Sequence, residues 1–196
     1  MKATELLMNE HRTILRALHI LDAMAARAER GFSIADRDAD DVLRILRTFV
    51  GEHHQGKEET ILFPALLKDP AQENYAALSR MVFEHDQERS LVEGLEDSLR
   101  TRKGKDFAYY ARRLTHVLKT HIDKEDRILF PLADAVLSPE EDARVARELD
   151  GHERAWKDRV LSALLERLQE MERIYLETSG GDSMPARIAG APARSR

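Results

Sequence analysis

The sequence has no cysteine among its 196 residues. It therefore cannot form a disulfide scaffold, a thiolate metal site, an iron–sulfur cluster or a cysteine nucleophile. Glycine and proline are few, at 9 and 6 residues, while 42% of the residues are hydrophobic and 34% are charged. A chain of this length and composition is expected to form one globular domain with a substantial core, with room for an appendage.

Long apolar runs are also missing. No stretch of about 18 apolar residues exists, so no membrane-spanning helix is expected. The N-terminal segment lacks the apolar core of a signal peptide, and we predict a cytoplasmic location. The formal net charge of −5 gives no field that would attract nucleic acid or an anionic membrane, and neither is expected as a partner.

Several catalytic and cofactor motifs are absent. There is no Walker loop, no GxGxxG and no GxSxG nucleophile elbow, and the zinc-protease motif HExxH does not occur. No histidine has a glutamate three positions before it, which excludes the Glu-x-x-His motif of ferritin-like di-iron bundles.

Helical periodicity runs through nearly the whole chain, and no segment alternates as a strand does. We predict four long amphipathic helices at about 4–30, 38–67, 75–100 and 107–137, with a break at Pro70 between the second and the third. Short connections between long helices indicate antiparallel neighbours. The predicted fold is all-α, an up-down-up-down antiparallel four-helix bundle with a C-terminal helical extension.

The sequence predicts three parts. Residues 1–137 form the bundle. Ser138-Pro139 is typical of a helix start and predicts a helical segment over 138–176. We expect this segment to pack on the bundle or on a partner subunit, either as one helix or with a break near Gly151. Residues 177–196, rich in small residues and proline, are predicted to be disordered.

The chain contains an internal repeat. HHQGKEETILFP at 53–64 aligns without a gap with THIDKEDRILFP at 120–131. A Glu-His doublet precedes each copy, Glu10-His11 in the first half and Glu84-His85 in the second. The repeat predicts two helical hairpins related by an approximate two-fold axis.

This repeat places ionisable groups on apolar helix faces. His54 and Glu58 are four positions apart, as are His121 and Glu125, so each pair shares one face of its helix. Burying such groups is unfavourable unless something compensates their charge, and a metal does so. The repeat supplies a ligand set that suits two metals bridged by the glutamates, with Fe, Mn or Zn favoured over Ca or Mg. The six predicted ligands are His11, His54, Glu58, His85, His121 and Glu125.

Other residues near these motifs have simpler explanations. A single histidine on an apolar helix face is more often a hydrogen-bonded core residue than a ligand, and only the doubled motif favours metal. His53 is predicted to lie at the surface or behind the ligands, with Glu59 beside it on the outer turn. The ILFP runs are predicted to be core followed by a proline stop, and Tyr110 is expected to be packing. The histidines without repeat partners are not predicted to bind metal: His19, His116 and His152.

Taken together, the six residues and the two LFP segments resemble the hemerythrin-like His-His-Glu (HHE) cation-binding domain over about residues 1–137. The resemblance implies a non-haem centre of two Fe ions, bridged by carboxylates and by oxo or hydroxo ligands. Members of this family carry, sense or reduce O₂, handle peroxide or NO, or report iron availability.

The sequence departs from the oxygen-carrying members at two positions. Those members have a second histidine on the third helix, where this chain has Arg89. They use HxxxxD on the fourth helix, which makes Asp126 an alternative ligand, but helix geometry and the match to Glu58 favour Glu125. With six ligands instead of seven, two alternatives are open: a more open site that favours reaction with external ligands, or water in place of the missing ligand. The N-terminal cysteine segment common in the iron–sulfur-repair branch is not present.

These expectations leave three functions open. The first is a module that binds or senses O₂, peroxide or NO. The second is a redox enzyme of peroxidase, catalase or oxidase type, which needs an electron donor, and the third is iron storage or a structural metal site. Whether the protein is an enzyme is left open, as is the choice between monomer and homodimer.

Overall fold

A computed structural model describes residues 2–67, 75–156 and 161–177, and in these ranges the chain is all-helical without a strand. Uninterrupted helical runs form six helices, α1 to α6. The predicted break at Pro70 lies outside the described residues, and so does the tail predicted to be disordered, 177–196, except for Glu177, which is helical. None of the helices in the described ranges combines the length and the apolar character needed to cross a membrane.

The first three helices have the predicted limits to within two residues. Helix α1 spans Ala3–Glu29, and α3 spans Tyr75–Arg100. Helix α2 covers 36–66 without interruption but changes its geometry along its length. It is α-helical over Asp36–Arg44, mainly π-helical over Ile45–Gln55 and Glu58–Leu62, and α-helical again over Phe63–Leu66.

Helix α4 repeats this change of geometry over 104–136. It is α-helical over Gly104–Lys124, π-helical over Glu125–Leu129 and α-helical over Phe130–Val136. Helix α5 spans Pro139–Trp156 and passes through Gly151 without a break. Helix α6 covers 162–177, as Ser162–Glu172 followed by a π-helical end over Arg173–Glu177.

The two prolines of the ILFP segments do not stop their helices, so the predicted proline stop is wrong. Pro64 and Pro131 are each the second residue of an α-helical stretch that directly follows a π-helical turn. A proline ring displaces the carbonyl one turn before it, and the wider π-helical turn accommodates that displacement. The core part of the prediction is confirmed for the leucine and phenylalanine of each segment, because Leu62, Phe63, Leu129 and Phe130 are buried. It is wrong for Ile128, which is 66% exposed.

Contacts between named residues fix how the long helices lie against each other. Thr4 of α1 donates a hydrogen bond to Asp134 of α4 at 2.8 Å, and Arg112 of α4 contacts Asp22 of α1 at 2.9 Å. The N-terminal end of α1 therefore lies beside the C-terminal end of α4. Helices α2 and α3 are likewise antiparallel, because Arg47 pairs with Glu96 while Gln55 lies against Glu88.

The apolar core is divided into two layers. One layer contains Ile14 of α1 and Leu118 of α4, and the other contains Leu7 of α1 and Leu129 of α4. Along each of the first four helices, the chain passes from one layer to the other at the level of the predicted ligands. The layers therefore leave a polar level between them, closed above and below by apolar side chains.

The C-terminal helices contact both layers. Val145 and Leu149 of α5 belong to one layer, and Leu168 and Met171 of α6 belong to the other. The Tyr175 hydroxyl donates a hydrogen bond to Asp38 at 2.8 Å. Ser138 and Glu141 form reciprocal hydrogen bonds at the start of α5, as the predicted helix start requires. The division into 1–137, 138–176 and 177–196 stays a prediction.

Candidate metal centre

Four imidazoles and two carboxylates meet at the polar level between the two core layers. Each of these side chains is buried: the glutamates and His85 are 0% exposed, and the other histidines are no more than 2% exposed. Helices α1 and α3 contribute one histidine each, and α2 and α4 contribute one histidine and one glutamate each. The structure thus brings together all six predicted ligands: His11, His54, Glu58, His85, His121 and Glu125.

The six side chains form two overlapping groups. His11 and His54 face both glutamates, and so do His85 and His121, with one ligand atom from each residue of a group within 4.8 Å of the others. Glu58 belongs to both groups. Such sharing is what two neighbouring cations with common carboxylates would require.

The oxygens of each glutamate point to different histidine pairs. Glu58 Oε1 lies 3.6 Å from His54 Nε2, whereas its Oε2 lies 3.5 Å from His85 Nε2. Glu125 Oε2 lies 3.2 Å from His11 Nε2, and its Oε1 lies 3.1 Å from His121 Nε2. Each carboxylate therefore spans the two groups, one oxygen to each.

Every histidine of the cluster donates its Nδ1–H to a carboxylate from another helix. His11 donates to Asp126 at 2.7 Å, and His85 donates to Glu59 at 2.7 Å. His54 donates to Glu10 at 2.9 Å, and His121 to Glu84 at 3.0 Å. These bonds fix the tautomer and turn each Nε2 toward the centre, as acidic partners do for metal-bound histidines.

The Nε2 atoms meet in pairs at close range. His11 Nε2 lies 3.0 Å from His54 Nε2, and the same distance separates the Nε2 atoms of His85 and His121. Because the Nδ1 atoms already carry protons, the Nε2 atoms of two neutral rings would face each other with their lone pairs. A proton or a metal cation between the two atoms removes this conflict.

The pKa shifts of the histidines are consistent with one proton in each pair of the metal-free protein. Burial lowers the pKa of His54 to about 4, and it also lowers that of His85. Burial likewise disfavours the charged form of His121, but the Glu125 carboxylate outweighs it and raises the pKa of His121 to about 9. Against the same burial, the hydrogen bond to Asp126 and the nearby Glu125 carboxylate raise the pKa of His11.

The two central carboxylates differ although they occupy equivalent positions in the repeat. Burial, and then the charge of Glu125, raise the pKa of Glu58 well above its usual range. Burial also disfavours ionised Glu125, but His121 and His11 outweigh this effect and lower its pKa. Without a metal, Glu58 is therefore the more readily protonated of the two carboxylates.

The donor set fits a pair of cations. Both oxygens of Glu58 and both oxygens of Glu125 are buried, and none has a well-oriented hydrogen-bond partner within the described ranges. Orphaned carboxylate oxygens are unfavourable in an apolar core unless a cation compensates them. Imidazole and carboxylate donors together suit Fe, Mn or Zn.

A lysine supports the acidic partner in each half, buried in the first half and partly exposed in the second. Lys57 is 1% exposed and contacts Glu10, and Lys124 contacts Glu84 in the equivalent way. The repeated Lys-Glu dipeptide of the sequence therefore has a role that the helix period alone does not predict. The positive charge of each lysine compensates the negative charge of a glutamate. That glutamate orients the histidine one turn before the lysine.

The phenylalanines of the two ILFP segments form walls of the centre. Phe130 is stacked on His11 with ring centroids 5.4 Å apart, and Phe63 is stacked on His85 at 6.0 Å. Each ring covers the histidine of the helix that carries only one ligand. These contacts limit the access of water to the Nε2 atoms.

His53 is fully buried, so the predicted surface position is wrong and the alternative position behind the ligands holds. Its Nε2 lies 3.5 Å from Glu10 and 3.4 Å from Glu153 of α5. These three residues form a further acidic group, but the Lys57 ammonium already lies 3.2 Å from His53 Nε2. His152 of α5 packs beside the His53 ring.

Four other residues considered from the sequence lie close to the centre or pack in the core. Asp126, the alternative ligand, receives the Nδ1–H of His11 and lies outside both groups of ligand atoms. Glu59 is partly exposed on the outer turn, as predicted, but it also orients His85. Arg89 points to Glu59 and Asp86, where oxygen-carrying relatives would have a histidine. The Tyr110 ring packs closely on Gly94, as expected.

The roles of Glu10 and Glu84 are not evident from the sequence alone. Both stand in the Glu-His doublets, so a signal was present: the glutamate recurs in both halves directly before a ligand. Each glutamate orients a histidine on a neighbouring helix and not the one beside it in sequence. Only the packing of the helices reveals that partnership.

A helical bundle with two His₂Glu₂ groups that share their glutamates defines a cation-binding protein of the histidine-carboxylate class. The hemerythrin HHE cation binding domain matches residues 2–133, and the chain belongs to this family. The family implies that it binds a metal, typically iron. No curated protein matches the sequence.

Proposed function

We propose that the chain is a non-haem di-iron protein that binds or reacts with O₂, peroxide or NO. The proposal includes an up-down-up-down bundle of two hairpins around the centre, which the antiparallel contacts between α1 and α4 and between α2 and α3 support. It also includes two irons as the resident ions, with Mn or Zn as substitutes.

One observation carries this proposal. Glu58 and Glu125 each direct one oxygen to either histidine pair, and all four oxygens are buried without a well-oriented hydrogen-bond partner in the described part of the chain. A single cation would leave one pair and half of each carboxylate uncompensated. Two cations satisfy the whole set.

The roles of the residues follow from their positions. Bound iron would supply electrons and Lewis acidity to a diatomic or peroxide ligand. Glu58 and Glu125 would hold the two ions together, and the four imidazoles would complete the protein ligands. The acidic partners at Nδ1 keep the rings oriented, and Phe63 and Phe130 exclude bulk water.

The ligand set supports chemistry with an external molecule. Two histidines and two shared carboxylates would hold each ion, and these four protein donors would leave room for an external molecule to bind. Arg89, at the position of the additional histidine in oxygen carriers, is turned to acidic residues. A second candidate function is therefore a redox enzyme that turns over peroxide. Iron storage or a structural metal is less well supported, because neither needs open positions.

The partners in this proposal are a diatomic or peroxide ligand and an electron donor. The proposal places the protein in the cytoplasm, as a monomer or homodimer, without nucleic acid or a membrane as partner. These parts rest on sequence composition and on the chemistry of the centre.

The test is metal analysis of protein purified from its native host, followed by anaerobic reduction and spectra after addition of O₂, H₂O₂ or NO. Two irons per chain with a reversible oxygenated spectrum would support binding or sensing, and turnover of peroxide would support the enzyme. The variant His54→Ala should lose iron, and the control His19→Ala, at an exposed position of α1, should keep it. One metal or none per chain would overturn the paired centre.

A further inference from the structure

A cavity of about 370 Å³ lies between α2, α3 and α4 beside the candidate metal centre. Its walls are apolar and include Leu46, Val92 and Leu118, and its outer rim carries Arg47 and Glu52. This volume exceeds the space of one water molecule, about 30 Å³, by an order of magnitude. The cavity can therefore hold a small reactant together with water.

The inner end of the cavity is polar and adjoins the metal centre. Gln55 follows His54 directly in α2, and Glu88 lies one helical turn after His85 in α3. The charge of Glu88 is among the causes that raise the pKa of Glu58 and of His121. A molecule held at Glu88 is thus one turn away from the ligands.

Glu88 has an unused hydrogen-bonding atom at this place. The side chain is 2% exposed, and Oε2 accepts a hydrogen bond from Gln55 Nε2 at 2.6 Å. Oε1 is buried without a hydrogen-bond partner within the described ranges. A buried carboxyl oxygen of this kind is unfavourable unless it meets water or a guest molecule.

Arg89 determines which atoms Gln55 presents. Its guanidinium donates a hydrogen bond to Gln55 Oε1 at 3.3 Å, which turns the amide nitrogen toward Glu88. The relay from Arg89 through Gln55 satisfies Oε2 of Glu88 and leaves Oε1 available. Burial also raises the pKa of Glu88 to about 7, so near neutral pH the carboxyl both accepts and donates hydrogen bonds.

We infer that this cavity is the access path and holding site for a small protic or anionic reactant of the metal centre, of the class of hydrogen peroxide, and that Glu88 positions it by a hydrogen bond. The inference rests on the proposed di-iron function and selects peroxide among its reactants. An uncharged diatomic molecule gains little from a buried carboxyl group. Glu88 is a positioning residue, because it acts on the reactant and lies outside the ligand groups.

The first test measures azide affinity of the oxidised, iron-loaded protein by a spectroscopic titration, with iron content measured in parallel. Glu88→Leu should weaken azide binding about tenfold or more, as expected for loss of a hydrogen bond to a charged group. Glu88→Gln, which still donates, should stay within about threefold of the unsubstituted protein. The control Glu148→Gln removes a charge on an exposed face of α5, does not line the cavity and should change nothing.

Two further measurements separate positioning from a general structural effect. Binding of NO to the reduced protein should be unchanged in Glu88→Leu, because NO neither carries charge nor donates a proton. If Glu88→Leu does not retain two irons, Glu88→Met provides a second apolar variant of the same length as glutamate. Equal azide affinity in the unsubstituted protein and the apolar variant would overturn the role of Glu88.

The access path is tested at Gly51, which lines the cavity. A Cβ there would meet only the Leu46 carbonyl oxygen, at an ordinary distance of 3.7 Å, so Gly51→Leu can be accommodated and should narrow the cavity. Azide association should slow severalfold with iron content unchanged. The control Asn9→Leu lies in a separate cavity of about 350 Å³ beside His11 and should not slow it.

The outcomes distinguish this inference from the proposed function. If the protein holds two irons and only the Asn9→Leu variant shows slow azide association, the access path lies beside His11. That result would overturn this inference but not the proposed function. Iron-loaded protein without any azide binding would also overturn it. Unsubstituted protein that holds no iron pair would instead overturn the proposed function on which the inference rests.

Discussion

The Nε2 atoms of His11 and His54 lie 3.0 Å apart while each ring donates its Nδ1–H to a carboxylate. The atoms that face the centre therefore need one cation between them, which is a proton in the metal-free protein. The same arrangement recurs in His85 and His121. A metal that binds here must displace protons.

Metal binding is therefore expected to release protons and to strengthen as pH rises. The raised pKa of His121, about 9, means that this ring is protonated at neutral pH in the metal-free protein. Between about pH 6 and about pH 8, apparent metal affinity should rise by about tenfold per pH unit for each displaced proton. Calorimetric titrations in buffers of different ionisation enthalpy measure the released protons. A pH-independent affinity would contradict the shared-proton arrangement.

Glu58→Gln and Glu125→Gln should both abolish the metal pair but differ in the metal-free protein. The pKa of metal-free Glu58 is raised well above its usual range, so the neutral amide should change the free energy of unfolding by no more than about 1 kcal/mol. Glu125 is ionised beside His121, and its loss removes one of the two carboxylates that contact the buried His121 imidazolium, at a cost of about 3 kcal/mol. Urea unfolding in the presence of chelator, with metal content as a second measurement, tests this. Equal destabilisation by the two changes would be the contrary result.

Glu10→Gln and Glu84→Gln should weaken metal binding about tenfold to a hundredfold, because each glutamate orients one ligand ring. They should differ in stability. Glu10→Gln leaves buried Lys57 without its main partner and should cost about 3 kcal/mol, whereas Lys124 is 29% exposed and its loss of Glu84 should cost about 1 kcal/mol. Competition with a chelator and denaturant unfolding measure the two effects.

The matched control for these substitutions is Glu148→Gln on α5. Glu148 pairs with Arg144 on an exposed face, far from any ligand in sequence. Its substitution should leave both metal affinity and stability within about 0.5 kcal/mol of the unsubstituted protein. A loss of affinity in this control would show that removal of negative charge alone, and not ring orientation, is responsible.

Met171→Ala should destabilise the whole protein by about 2–5 kcal/mol, because Met171 is fully buried in the core layer shared with α1. Leu176→Ala, at a position 39% exposed, should cost much less. Denaturant unfolding followed by circular dichroism measures both variants. An unchanged transition in Met171→Ala would mean that α6 does not contribute to the core and would favour packing on another subunit.

Much of the site is predictable from local sequence because its ligand motif occurs in both halves of the chain. The spacing of His54 and Glu58 places both on one helix face, and its recurrence at His121 and Glu125 makes chance an inadequate explanation. The helix limits also follow from periodicity to within two residues for α1 and α3. Geometry near the prolines was less predictable, because π-helical turns let α2 and α4 continue beyond Pro64 and Pro131.

Other features depend on contacts between distant segments. His53 is buried because α5 covers it with Glu153 and His152, and no local pattern indicates that α5 lies there. The unused oxygen of Glu88 depends on Gln55, which belongs to another helix. Such pairings join residues far apart in the chain, and their register depends on how the core layers pack.

By itself, the sequence determined the helical class, the internal repeat and the six residues that converge, because these depend on the helix period and on local spacing. The tertiary structure alone decided which acidic residue orients each histidine. It also decided that Glu58 and Glu125, which are equivalent in the repeat, differ in pKa, which is raised for Glu58 and lowered for Glu125. Burial and the distances between helices set these properties, since the energy of a buried charge depends on neighbours that only packing brings close.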